Sequence, residues 1–252
     1  MRKHLPGLLS PIAAMGAILA MMTTPARADL EVILSETGFA PVYFSATIPG
    51  SNGAAAIPSA ITYGDFTIQS LAASQTNANF SDLEASDLKI LNNTGTAHSL
   101  TVTTYGNNYT LPAGSPLLMS SSAGGNIFSP GTALDTNMTH QGWINNANPA
   151  IDAPPTGSPP GLTPPMETTG GPQAPVFNAL SFANGTDNSV FTRTGADYSL
   201  TAMASVNVGA GAGIHFTETL QVQAVPEPSS LVITSMGALG IIGYGLRRRL
   251  KK

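Results

Sequence analysis

Three carboxylates in the run Asp82-Leu83-Glu84-Ala85-Ser86-Asp87 are the densest local group of potential metal ligands in this 252-residue chain. Oxygen donors of this kind suit Ca2+, which takes roughly six to eight of them. The run lacks the glycine turn and terminal glutamate of an EF-hand loop, so it reads as solvated charge near a strand start. Asp135-Thr136-Asn137 offers less. His98, His140 and His215 are the histidines beyond the N-terminal segment. None has the His-x-x-x-His spacing that would put two imidazoles on one helix face. No Gly-x-Ser-x-Gly elbow marks an activated serine. With no cysteine anywhere, thiolate nucleophiles, thiolate metal sites and disulfides are excluded. The sequence therefore assigns no catalytic residue, no cofactor and no metal ligand.

Trp143, the single tryptophan, stands in Gln141-Gly142-Trp143-Ile144-Asn145-Asn146 with polar neighbours on both sides. An indole there either stacks on a sugar ring or fills a core. The core reading is favoured, because a lone large aromatic buries about 150–250 Å² wherever it finds one.

The elements that would position these residues alternate with period two. Leu88–Leu91, Ser99–Thr103, Tyr198–Val206 and Ile214–Val222 each set apolar against polar positions, as half-buried strands do. In the last of these His215, between Ile214 and Phe216, points to solvent. Shorter strand candidates lie at Leu30–Ser35, Val42–Ile48, Ile61–Leu71, Tyr109–Leu111, Leu117–Ser121 and Val190–Thr194. Turn chemistry separates them at Asn92-Asn93-Thr94-Gly95, Gly106-Asn107-Asn108, Asn184-Gly185 and Gly209–Gly213. No sustained helical period occurs between Ala28 and Pro226. The fold class expected is all-β, an antiparallel β-sandwich or jelly roll over residues 29–224. One stretch breaks the pattern: nine prolines fall between Asn146 and Val176, and since proline cannot donate to a ladder, 146–176 reads as a Pro-rich loop.

Both ends of the chain read as topogenic. Met1-Arg2-Lys3-His4 is basic, Leu5 to Met22 is mostly apolar, and Ala26-Arg27-Ala28 puts small residues at both positions that determine cleavage. Residues 1–28 are thus expected to be a signal peptide cut after Ala28 by the secretion machinery. At the other end the uncharged segment 229–246 would rise about 27 Å as a transmembrane helix, just enough to span a hydrocarbon core of about 30 Å. The bases Arg247, Arg248, Arg249, Lys251 and Lys252 all lie beyond it, where the positive-inside rule keeps them in the cytoplasm and puts the body of the chain outside.

Without these ends, thirteen acids remain against two bases, Lys89 and Arg193, for a net charge of −11. Such a surface repels phosphate backbones, so no nucleic acid partner is expected.

The order Val225, Pro226, Glu227, Pro228, then an apolar segment, then Arg247-Arg248-Arg249 resembles the PEP-CTERM sorting tail of exported bacterial proteins. The resemblance covers 225–252. It implies a membrane-embedded exosortase-type enzyme that processes the tail near Pro226-Glu227-Pro228, and a bacterial producer of extracellular polysaccharide, which becomes a candidate partner. The expected protein is exported, held in the membrane through 229–246 before processing and then released to the cell surface or extracellular matrix, and it is not an enzyme. The alternative is a secreted carbohydrate-binding module or glycoside-active enzyme of the cell envelope using Trp143 and the acidic residues.

Overall fold

The computed structural model describes residues 27–49, 52–57, 59–130, 135–148, 166–168, 176–178, 181–183 and 187–225. Most of the expected signal peptide, including Ala26, and all of the tail from Pro226 onward lie outside these. So do the segment 229–246, the bases from Arg247 to Lys252, and most of the Pro-rich stretch. No α-helix occurs among the described residues, and none there is long and apolar enough to cross a membrane.

The strands are β1 (Arg27–Glu36), β2 (Val42–Pro49), β3 (Gly53–Ala56), β4 (Ile61–Tyr63) and β5 (Phe66–Asn77). Next come β6 (Ser81–Asn92), β7 (His98–Tyr109), β8 (Leu117–Pro130), β9 (Asn137–Asn145) and β10 (Met166–Thr168). The last are β11 (Val176–Asn178), β12 (Ser181–Ala183), β13 (Asp187–Phe191), β14 (Tyr198–Val208) and β15 (Ala212–Ala224). The first sheet runs β10-β9-β14-β7-β1-β2. The second runs β11-β12-β8-β15-β6-β5-β3, with β13 also on β8 and β4 also on β5. Every pairing is antiparallel.

The two sheets share one apolar core, which explains the alternation in the sequence. From the first sheet come Leu30, Val32, Leu34, Leu100, Val102, Leu200 and Val206; from the second come Ile68, Leu83, Leu88, Ile90, Ile214, Phe216, Leu220 and Val222. Each such side chain stabilises the fold by about 1.5–3 kcal/mol when fully buried. With no disulfide available, this burial carries the domain. Gly142 of β9 brings the sheets into close approach: a Cβ there would meet Leu220 Cδ1 at 2.4 Å.

Several local expectations give way. Ile61–Leu71 is a hairpin, because Gly64 takes φ +53° and lets Tyr63 pair with Phe66. Gly106-Asn107-Asn108 lies inside β7. Asn108 adopts φ 59° without ending the ladder, and Asn107 Oδ1 accepts from the Asp29 N–H at 2.8 Å. The strand expected at Tyr109–Leu111 is the end of this same β7, with Thr110 and Leu111 beyond it. Within 146–176, Met166–Thr168 pairs with β9 and so adds an edge strand to the first sheet.

Candidate functional site

Glu36, Asp65 and His98 meet where the two sheets join. Glu36 ends β1, Asp65 occupies the hairpin turn between β4 and β5, and His98 opens β7. One ligand atom from each lies within 4.8 Å of the other two, and among the described residues this is the group of acidic and imidazole side chains able to hold a metal ion. His98 Nδ1 is 2.7 Å from Asp65 Oδ2 and 3.8 Å from Glu36 Oε1. The other ring nitrogen, Nε2, is 2.8 Å from Thr96 Oγ1.

The surrounding chain is shaped to hold Glu36 in place. Its backbone N–H donates to Tyr63 Oη at 3.1 Å, and its Oε2 accepts from the Asp65 N–H at 3.1 Å. The tight turn that makes this possible needs Gly64, since a Cβ there would fall 1.7 Å from Glu36 Oε2. Tyr63 is itself buried and rests against Phe39, with ring centroids 6.3 Å apart. The Glu36 side chain is 4% exposed, and Oε1 has no hydrogen-bond partner. Burial pushes this carboxyl above its ordinary range. The Asp65 N–H opposes that, the Asp65 carboxylate adds to it, and His98 weakens it further. A buried carboxylate, a second carboxylate and an imidazole converging on one point can share a proton or ligate a cation.

The residues singled out in the sequence are placed differently. Asp82 and Glu84 lie on one face of β6, where burial and then the Glu84 charge raise the Asp82 carboxyl to about 6. Asp87 adopts φ 51° beside a register shift, and its Oδ1 lies 2.9 Å from His215 Nε2. The local acidic run therefore does not converge on one point. The His215 side chain is itself 38% exposed, as its alternation requires. Asp135 and Thr136 serve as a clasp: Asn207 Nδ2 donates to the Asp135 carbonyl at 2.7 Å and the Gly209 N–H donates to Thr136 Oγ1 at 3.1 Å. His140 is buried on the core side of β9, with Nδ1 3.1 Å from Ser121 Oγ; burial lowers its pKa, and the Asp187 charge partly opposes this.

Trp143 is 7% exposed and so offers no open ring face for stacking. It lies on the opposite face of β9 from Ile144, in a cross-strand row that continues through Thr201 and Tyr105 to Glu31. Glu31 is buried, and burial followed by the Asp29 charge raises its carboxyl to about 7.

The sequence contained no local signal for the Glu36, Asp65 and His98 group. Its members are separated by dozens of residues, and only the pairing of β1 with β7 and the hairpin at Gly64 bring them together. The Gly64-Asp65 pair between alternating apolar residues was the one available hint of a tight hairpin.

At the C-terminal boundary β15 ends at Ala224. Val222 is its last buried residue, and Gln223 and Ala224 are exposed. A family model described as the PEP-CTERM protein-sorting motif matches residues 224–249, beginning on the last residue of that strand. No curated protein and no solved structure matches the chain.

Proposed function

We propose that this chain, which carries the PEP-CTERM protein-sorting motif at 224–249, is a non-enzymatic β-rich protein delivered to the cell surface or extracellular matrix of the bacterium that exports it. In this reading the secretion machinery removes residues 1–28 after Ala28, and segment 229–246 holds the chain in the membrane. The bases Arg247, Arg248, Arg249, Lys251 and Lys252 fix its orientation. An exosortase-type enzyme then processes the tail at Val225-Pro226-Glu227-Pro228.

The observation that carries the proposal is the sorting motif itself. The layout of the fold supports it. Between the two proposed cuts lies the whole shared core, from Leu30 at the start to Val222 at the end. Cleavage after Ala28 shortens β1 by two paired residues, Arg27 and Ala28, and leaves Leu30, Val32 and Leu34 in place. Cleavage beyond Ala224 removes nothing from β15. Both events therefore trim the chain without opening the domain.

An epitope placed after Lys252 tests the sorting step. With Pro226-Glu227-Pro228 intact, the epitope should disappear from the mature protein. With all three changed to Ala, it should persist in the membrane fraction. Equal persistence in both forms would refute processing and favour a permanent anchor.

A further inference from the structure

We propose that Glu36, Asp65 and His98 form a binding site for a single divalent transition metal ion of the zinc class. The first support is geometric. In a tetrahedral zinc site with bonds of about 2.0–2.2 Å, ligand atoms stand roughly 3.3 Å apart. Here Nδ1 of His98 is 2.7 Å from one carboxylate oxygen and 3.8 Å from the other, distances that bracket that spacing, and one ligand atom of each residue lies within 4.8 Å of the other two.

The second support is Glu36 Oε1. It belongs to a side chain that is 96% buried, it has no hydrogen-bond partner, and it faces the imidazole. Buried polar atoms in folded proteins nearly always have partners, so an orphan of this kind calls for one. Its sister oxygen is already held by the Asp65 N–H, which fixes the carboxylate with Oε1 turned inward. No lysine or arginine forms an ion pair with either carboxylate among the described residues. Lys89 lies over the Phe128 ring and Arg193 over the Tyr198 ring.

The third support is the imidazole's own bonding. Nε2 of His98 lies 2.8 Å from Thr96 Oγ1, which leaves Nδ1 as the ring nitrogen that faces the two carboxylates. A hydrogen-bond partner on the far ring nitrogen is how metal-binding histidines are commonly oriented, and the Thr96 hydroxyl is placed to serve as one. One imidazole nitrogen with two carboxylate oxygens selects Zn2+ or a neighbouring transition ion over Ca2+, which favours an all-oxygen shell of six to eight donors. The ion would bridge the end of β1, the β4–β5 turn and the start of β7, and so clip the two sheets together at one edge.

The test uses the full chain in detergent micelles, stripped with EDTA and titrated calorimetrically with Zn2+ alone, then with Ca2+ alone. The expected result is one Zn2+ per chain, a melting temperature raised by several degrees, and markedly weaker Ca2+ binding. His98→Ala and Glu36→Gln should each weaken Zn2+ binding at least about tenfold. Thr96→Ala should weaken it by about ten- to a hundredfold while the metal-free protein melts as the parent does. Should His98→Ala fail to fold, the near-isosteric Glu36→Gln and Asp65→Asn decide the question. Zn2+ binding that survives unchanged in those variants, its absence from the parent, or a parent that binds Ca2+ as tightly, would overturn the assignment.

Discussion

The hydroxyl of Tyr198 in β14 stands 2.9 Å from Ser81 Oγ in β6, which joins the two sheets through the middle of the fold. Both hydroxyls also reach the Leu111 carbonyl, so one loop oxygen is tied to both layers. The Tyr198 ring stacks on Tyr109 at 5.7 Å and meets Phe191 edge-on at 6.1 Å, so it is held in place from both sides. Tyr198→Phe keeps the ring packing and removes only the hydroxyl. It should cost about 1–3 kcal/mol, the range for leaving buried partners unsatisfied, measured by denaturant unfolding of a soluble chain of residues 29–224. An unchanged midpoint would show that water or Ser81 alone satisfies the loop carbonyl.

Glu218 is fully buried in the shared core with neither carboxylate oxygen hydrogen-bonded, and burial pushes its pKa well above the ordinary range. Glu31 is raised as well, to about 7, by burial and then by Asp29. For a carboxyl whose folded pKa exceeds its unfolded one, stability is fully present below about pH 4.5 and falls as pH rises toward the folded value. The domain should therefore lose stability between about pH 4.5 and 7, with each raised group contributing a slope of up to about 1.4 kcal/mol per pH unit. Glu218→Met should stabilise the protein at pH 8 and flatten this dependence. A steeper dependence in the variant would contradict the assignment of Glu218 as a neutral core residue.

Gly64→Ala tests the turn that holds Glu36. The residue sits at φ +53°, and the new Cβ would collide with Glu36 Oε2. A cost of about 1–3 kcal/mol follows from the backbone conformation alone, and displacement of the carboxylate adds to it. Melting of the variant against parent measures it. A neutral substitution would mean the hairpin can relax away from Glu36 without loss.

Much of the sheet architecture was legible because most inward positions are apolar. In β15, Ile214, Phe216, Leu220 and Val222 face the core at every second residue apart from Glu218, and β6 and β14 show the same rhythm. β9 carries little strand signal for the opposite reason: its inward positions are Met138, His140, Gly142 and Ile144, and the middle two are not apolar side chains. Its packing depends on the absence of a side chain at Gly142, against which Leu220 rests. Asp82, Glu84 and Asp87 are close in sequence, yet they are spread along β6, and Asp87, at the bulge, pairs with His215 instead. Glu36, Asp65 and His98 are adjacent only through strand register, which residue spacing along the chain does not encode.

Arg193 is one of two bases in the proposed mature domain, and it binds backbone oxygen rather than an acid. Its guanidinium donates to the Thr110 carbonyl at 2.7 Å, the Pro112 carbonyl at 2.9 Å and the Gly195 carbonyl at 3.0 Å. Arg193→Lys keeps the charge but loses the planar fork that serves three acceptors at once. Hydrogen exchange should show faster opening of residues 110–116 in that variant, with strands β6 and β15 unaffected. Protection equal to the parent would show that the loop does not depend on the guanidinium.

The central claim, export followed by removal of both ends, is tested most directly by the intact mass of the protein recovered from its native cells. The predicted species begins at Asp29 and ends between Val225 and Pro228, without the segment 229–246 or the bases from Arg247 to Lys252. A mass that still contains Met1 or extends to Lys252 would contradict it.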